Sequence, residues 1–337
     1  MKREIFGQMP GGEIVYILEL TNKNGLKVSL SNFGATITAI KIPQKNAEAI
    51  DIVLGFDHLN DYLASFLLPY PPYFGATMGR FSGRINKGVF ELNGNKIQLN
   101  QNHNTHFIHG GKISFSQVIW DIDSISNNGE PSVCLKYISK HNEENFPGEL
   151  TVTLQFILSE RNELILQYQA VTTHDTVINL TNHSYFNLDG HAGNVTDQQL
   201  FIHSNAIVET TNDNIPTGAF IAVKDSIFDF NTEKNCPEKI DTSFVLERNR
   251  DLKATLTSTK NNLKMSVFTD QPSLHVYVGG HCPNVMGKNH VAYHALSGIC
   301  FEAQNYPDAP NHPHFPSATL LAGEIYRQTT IFQFEYL

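Results

Sequence analysis

The segment Ile299-Cys300-Phe301-Glu302-Ala303-Gln304 sets a carboxylate inside an otherwise strand-like run, directly before the irregular stretch Asn305-Tyr306-Pro307-Asp308-Ala309-Pro310. An acid among such neighbours loses hydration unless it faces a polar cleft or finds partners, and an unpaired one is pushed toward its neutral form. Glu302 is therefore a candidate general base, with a carboxylate tied to lysine or arginine across a sheet as the plainer alternative. In Asn179-Leu180-Thr181-Asn182-His183-Ser184-Tyr185-Phe186-Asn187 a histidine stands among hydrogen-bonding side chains able to fix its tautomer and orientation. His183 is the candidate acid. Its alternative is a core histidine bonded to Thr181 or Ser184. One carboxylate and one imidazole make an acid/base pair.

Three further segments could bind a ligand. Gly75-Ala76-Thr77-Met78-Gly79-Arg80-Phe81-Ser82-Gly83-Arg84-Ile85-Asn86-Lys87-Gly88 carries two arginines among four glycines but has the spacing of neither a dinucleotide nor a phosphate loop, and Arg84 reads equally as a surface ion pair or a ligand contact. His103, His106 and His109 recur every third residue, which suggests a metal set, but no helix is expected there to put them on one face. The apolar residues before His109 and the Gly-Gly after it suit a strand end that displays the side chain at a sheet edge. Asp241, at the start of a short apolar run, reads locally as a turn or cap residue. There is no G-x-S-x-G elbow and no C-x-x-C pair, so covalent, zinc-ribbon and dithiol chemistries have no support.

Positioning such groups falls to strands. Two-residue alternation recurs through Leu26–Leu30, Leu150–Phe156 and Leu263–Phe268, and further strands are expected at 52–56, 133–138, 163–171, 253–258, 274–278, 298–304 and 324–334. Val89–Leu92 and Asn95–Leu99 flank Asn93-Gly94, the signature of a tight hairpin. Long helices are not indicated, and the irregular Asp61–Tyr73 stretch reads as a surface loop that overhangs a cleft. Sheets must bury one face, so the expected architecture is all-β, a large antiparallel β-sandwich with few short helices. No linker or repeat divides the chain, and residues 1–337 are expected to form a single domain.

With 24 basic against 33 acidic residues the formal charge is −9, which opposes binding to nucleic-acid phosphates or anionic lipid. The scattered Cys134, Cys236, Cys282 and Cys300 read as free thiols. With no apolar leader or membrane-length run, a cytoplasmic protein is expected.

In chain order these segments resemble the aldose 1-epimerase (mutarotase) family, in its galactose mutarotase branch. The resemblance rests on Asn32-Phe33-Gly34-Ala35-Thr36, Tyr73–Gly88, Ile108-His109-Gly110-Gly111, Thr181–Leu188, Asp241-Thr242-Ser243-Phe244, Phe301–Ala309, Phe315-Pro316-Ser317 and Gly323-Glu324-Ile325-Tyr326. It implies a β-sandwich with an open cleft and interconversion of the α and β anomers of free aldohexoses such as galactose and glucose, with no cofactor and no metal. Position by position, it makes Glu302 the general base and His183 the general acid, gives Arg84, His109 and Asp241 to the sugar hydroxyls, and puts Gln271 near a further sugar contact. The expected partner is a small aldose, with the chain a monomer or weak homodimer. One departure stands out: Gly83 precedes Arg84 where the family usually has asparagine, which removes an amide worth about 0.5–1.5 kcal/mol as one neutral hydrogen bond.

Overall fold

The computed structural model describes residues 2–45, 47–247, 252–279 and 284–337; Cys282 lies outside them. Three antiparallel sheets carry most of the chain. The first is a meander of Lys2–Gln8, Ile14–Thr21, Lys27–Ser31, Thr36–Ile42 and Ile50–Asp51. A nine-stranded sheet runs in the order Asp121–Ser126, Ser132–Ser139, Leu150–Leu158, Glu163–Thr172, Tyr326–Tyr336, Leu263–Thr269, Leu252–Ser258, Gln199–Ile202, Lys234–Asn235. The C-terminal strand Tyr326–Tyr336 thus fills the middle of that sheet, pairing with Glu163–Thr172 on one side and Leu263–Thr269 on the other. The third sheet, which builds the site, has six strands: Tyr185–Phe186, Ile299–Gln304, Ser273–Val278, Asp241–Val245, Ala206–Thr210 and Pro216–Ala222.

Alternation explains the layers. Along Leu150–Leu158 every second side chain is buried, so one face joins the core and the other looks outward. The inward positions of all three sheets meet in one core: Leu18, Leu30 and Ile40 from the meander, Val152, Leu154 and Phe332 from the nine-stranded sheet, and Phe244, Val276 and Phe301 from the six-stranded sheet. Each such side chain contributes about 1.5–3 kcal/mol by leaving water. Two smaller clusters flank this core. Phe81, Ile85, Phe90, Phe107, Phe146 and Tyr306 underpin the Arg84 side, while Leu54, Phe56, Leu59, Tyr62, Phe74 and Tyr293 underpin the His183 side.

Two sequence expectations need correction. Residues 52–56 do not form a strand: Ile52 N–H donates to Ile40 and Leu54 N–H to Tyr185, so the segment divides its hydrogen bonds between partners instead of joining one ladder. The Asp61–Tyr73 stretch is not irregular throughout. Leu59–Ser65 is a short α-helix that buries Leu59 and Tyr62 on one face, and only the residues after it form the proline-rich loop. The hairpin is present, with Asn93 and Gly94 at φ 53° and 74°, the left-handed pair that a two-residue turn requires.

Candidate active site

Glu302 is explained by the strand that carries it. In Ile299–Gln304 the residues Ile299, Phe301 and Ala303 point into the core, so Cys300, Glu302 and Gln304 share the opposite face. Neighbouring strands extend that face by register: Glu302 opposes His275, His275 opposes Ser243, Cys300 opposes Tyr277 and Tyr185, and Tyr277 opposes Asp241. The acid in the apolar run therefore sits on a polar face of the sheet, not in its core.

His183 reaches the same face from a short crossing segment held by backbone bonds. Its N–H donates to Ala76 at 2.9 Å, and its carbonyl accepts from Gly75 at 3.0 Å. Asn182 Nδ2 donates to the Gly75 carbonyl at 2.8 Å, and Asn182 Oδ1 accepts from Ser184. Gly75, at φ 69°, has no substitute here, because a Cβ would stand 2.0 Å from the Ile37 carbonyl oxygen. The surrounding polar side chains fix the backbone and leave the ring free for the cleft. His183 Nε2 lies 3.7 Å from Glu302 Oε1, and Nδ1 lies 3.7 Å from Cys300 Sγ. Both residues are almost fully buried, at 5% and 2% exposure, and Glu302 Oε2 has no hydrogen-bond partner among the described residues. A buried carboxylate oxygen left this way is rare unless a ligand completes it.

Arg84 and His109 are set by two crossing segments. Arg84–Ile85 pairs with Phe107–Ile108, and the Arg84 carbonyl accepts from Asp308 N–H at 2.7 Å while the Asp308 carboxylate accepts from Asn86 N–H at 2.9 Å. His109 follows at φ 52°, and Gly110 beside it is forced, since a Cβ would meet the Gly79 carbonyl oxygen at 1.7 Å. His109 Nδ1 accepts from Gly83 N–H at 3.4 Å, which leaves the ring proton on Nε2. Burial, with the charges of His183, Arg84 and His275, holds the His109 pKa well below the usual histidine value, so it is a neutral donor. Its neighbour in the triplet, His106, instead accepts from Lys87 N–H at 3.1 Å. Among the described residues no three His, Cys, Asp or Glu side chains gather as a metal-ligand set.

Asp241 anchors the far side. Its Oδ1 lies 3.0 Å from His275 Nε2, its Oδ2 accepts from Asn214 Nδ2 at 2.9 Å, and His275 Nδ1 is 2.9 Å from Ser243 Oγ. Burial opposes ionisation of Asp241, but the His275 hydrogen bond and charge, with Arg84 and His109, hold it well below the ordinary carboxylate range. Burial likewise opposes a charged His275, and the bond to Asp241 with the charges of Asp241 and Glu302 outweighs it and raises its pKa.

Glu302, His183, Arg84, His109 and Asp241 thus line one cleft of about 950 Å³, open to solvent and walled by Pro69, Tyr70, Pro71, Pro72 and Tyr73 of the proline-rich loop. Gln271 is not brought to it. It sits in the turn before Ser273–Val278, donates to Asp270 at 2.8 Å, and borders a different cavity with Pro272, Asn305 and Pro316. Among the cleft residues that the sequence reading did not single out are His275 and Gln304, whose Oε1 is buried without a partner among the described residues. The alternation Ser273-Leu274-His275-Val276-Tyr277-Val278 held the signal: a histidine on the non-core face of a strand.

The arrangement sets a carboxylate beside an imidazole in a cleft whose remaining walls offer fixed donors and acceptors, the groups that acid/base chemistry requires. The Aldose 1-epimerase family model matches residues 16–333. The chain is 35% identical over 345 residues to galactose mutarotase of Homo sapiens and 34% identical over 344 residues to that of Sus scrofa, covering 98% of both chains in each case. It is 31% identical to the aldose 1-epimerase of Haemophilus influenzae, covering 97% of each. The solved aldose epimerase homologue from C. elegans superposes with a TM-score of 0.88 at 27% identity, covering 95% of this chain and 99% of that one. This chain belongs to the aldose 1-epimerase family, a family of carbohydrate isomerases. No helix of the described residues is long and apolar enough to cross a membrane.

Proposed function

We propose that the protein is an aldose 1-epimerase that interconverts the α and β anomers of free aldohexoses such as D-galactose and D-glucose, with Glu302 as base, His183 as acid, and Arg84, His109 and Asp241 holding the sugar. The observation that carries this reading is the 3.7 Å between Glu302 Oε1 and His183 Nε2. The two oxygens that exchange protons in anomerisation, the C1 hydroxyl and the ring oxygen, are bonded to the same carbon. A base and an acid serving them must be close neighbours on one side of a cleft.

Glu302 takes the C1 hydroxyl proton, the O–H electrons form the C1 carbonyl, the C1–O5 bond breaks, and its electrons take the proton from His183. Rotation about C1–C2 turns the other carbonyl face toward O5. Return of both protons closes the opposite anomer, so the enzyme ends as it began. Neutral His109 donates through Nε2–H, ionised Asp241 accepts, and Arg84 donates, which keeps the open chain from leaving before it recloses.

Arg84 is the one guanidinium or ammonium among the described residues lining the cleft, which also holds the carboxylates of Asp241 and Glu302. That balance supports a neutral sugar over a hexose phosphate, and a matched acid and base support catalysis over simple sugar binding. The core drawn from Leu18 through Phe334 supports a single domain over 1–337. Cys134, Cys236 and Cys300 stand as thiols outside any disulfide, which supports a reducing, cytoplasmic setting. The charge of −9 supports neither nucleic-acid nor membrane partners, and a monomer or weak homodimer is the proposed state. Polarimetry of freshly dissolved α-D-galactose and α-D-glucose tests the function. Faster decay of optical rotation than in buffer is expected; a decay equal to buffer with both sugars, or activity confined to phosphorylated sugar, refutes it.

A further inference from the structure

Three adjacent strands place Asp241, His275 and Glu302 on one face, so the imidazole stands between two carboxylates. We propose that His275 is a positioning residue for the reaction: it sets an imidazolium across the strand from Glu302 and separates that carboxylate from Asp241. The proposal rests on the acid/base reading above and deepens it.

Both ring nitrogens of His275 have oxygen neighbours at hydrogen-bond distance, Asp241 Oδ1 at 3.0 Å and Ser243 Oγ at 2.9 Å. A carboxylate only accepts, so Nε2 carries a proton; a hydroxyl can accept from Nδ1 while turning its own proton elsewhere, so the site accommodates the doubly protonated ring. Glu302 is its direct cross-strand partner, and side chains so placed have Cβ atoms about 4.5–5.5 Å apart. Without the charge at His275, two carboxylates would share one buried face, and like charges disfavour each other's ionisation.

The other groups around the ring are accounted for. Arg84 opposes a charge on His275, and so does His183 when protonated, but neither is hydrogen-bonded to it. His109 stays neutral through burial. His103, also on the cleft wall, has its pKa lowered by burial and by Arg84. Tyr277 on the same strand and Tyr73 and Tyr185 on the wall are phenols, and Cys300 is a thiol. Asp241 and Glu302 are thus the two carboxylates of the cleft that face the ring, and both favour its charge.

The test combines a titration and a pH profile. Imidazole-nitrogen NMR of the whole protein, with His275 assigned by loss of its signals in His275→Gln, is expected to show His275 titrating above the ordinary 6.5. The midpoint should fall in Glu302→Gln, since coupling between two titrating groups is reciprocal. In His275→Gln, the acid limb of kcat/KM should move to higher pH by about one unit, read as a tenfold lower kcat/KM at pH values below both limbs and no change at pH 8. Ser243→Ala should move the limb the same way by less. A His275 midpoint at or below 6.5, a midpoint unmoved by Glu302→Gln, or a fall in kcat/KM that is uniform with pH overturns the proposal. Reciprocal coupling in a protein without epimerase activity would uphold the charge arrangement while refuting the functional reading.

Discussion

Glu302 meets His183 through one carboxylate oxygen, Oε1 at 3.7 Å from Nε2, and leaves the other, Oε2, buried without a partner among the described residues. The second oxygen is thus available to a substrate hydroxyl. Glu302→Gln keeps size and hydrogen-bonding capacity, His183→Asn keeps a smaller polar side chain, and each loses the proton carrier. Each should lower kcat by about 10²–10⁴-fold or more while sugar binding, read by calorimetry, persists. Near-parental turnover in either variant would remove that residue from its role.

Asp308 brackets Arg84 by donating to its carbonyl and accepting from Asn86 two residues on. Asp308→Ala keeps the first bond and loses the second, together with the 2.6 Å bond from Asn311 Nδ2. Freed donors in a part-buried loop cost about 1–3 kcal/mol. Arg84 should lose its fixed position, so KM should rise more than kcat falls. Steady-state polarimetry over a range of sugar concentrations separates the two, and a change confined to kcat would contradict this role.

Gly83 stands at φ 72° with its missing Cβ 3.2 Å from Pro307 Cγ. Asparagine tolerates the left-handed region, and Pro307 would need to give by a few tenths of an ångström. Gly83→Asn should fold and lower KM for its preferred aldose by about 2- to 10-fold, the equivalent of one neutral hydrogen bond. Gly83→Val, β-branched at a positive φ, should instead lose stability in a thermal unfolding assay run on both variants.

Lys288 Nζ donates to Asp51 Oδ2 at 2.8 Å and to the Val53 carbonyl at 2.9 Å, tying the segment after residue 284 to the meander sheet far from the cleft. Lys288→Met removes the ammonium partner of buried Asp51 and leaves, among the described residues, only His191 Nε2 at 3.7 Å and the Ile40 and Val53 N–H groups around it, so it should cost about 1–3 kcal/mol in urea unfolding. Adding Asp51→Asn should restore part of that loss. A single variant as stable as the parent would show the pair to be dispensable.

The pH dependence of stability has a definite sign at His109. Its folded pKa lies below the unfolded value near 6.5, so the unfolded chain binds the extra proton first. Its contribution is complete above pH 6.5 and is lost as pH falls. Asp241, depressed when folded, contributes fully above the ordinary carboxylate value and loses that contribution only as pH falls below it, outside the range from pH 7 to 5, and His275, raised when folded, loses its contribution only as pH rises. Between pH 7 and 5, His109→Gln should therefore flatten the decline of Tm measured by calorimetry. An unchanged slope would mean that His109 is not the group responsible.

Much of this protein was legible in the order of its residues. Strand alternation fixed the all-β architecture, because a period of two can bury only one face, and Asn93-Gly94 fixed a hairpin through its positive φ angles. Glu302 was conspicuous because a carboxylate is costly in an apolar run. What the chain alone left undecided was register. His275 and Gln304 entered the cleft, and Gln271 did not, because pairing between strands determines which side chains share a face, and that pairing joins residues far apart in sequence. The short helix Leu59–Ser65 was hidden for a related reason: seven residues carry too little periodicity, and its stability comes from burying Leu59 and Tyr62 against parts of the chain that only the folded molecule brings near.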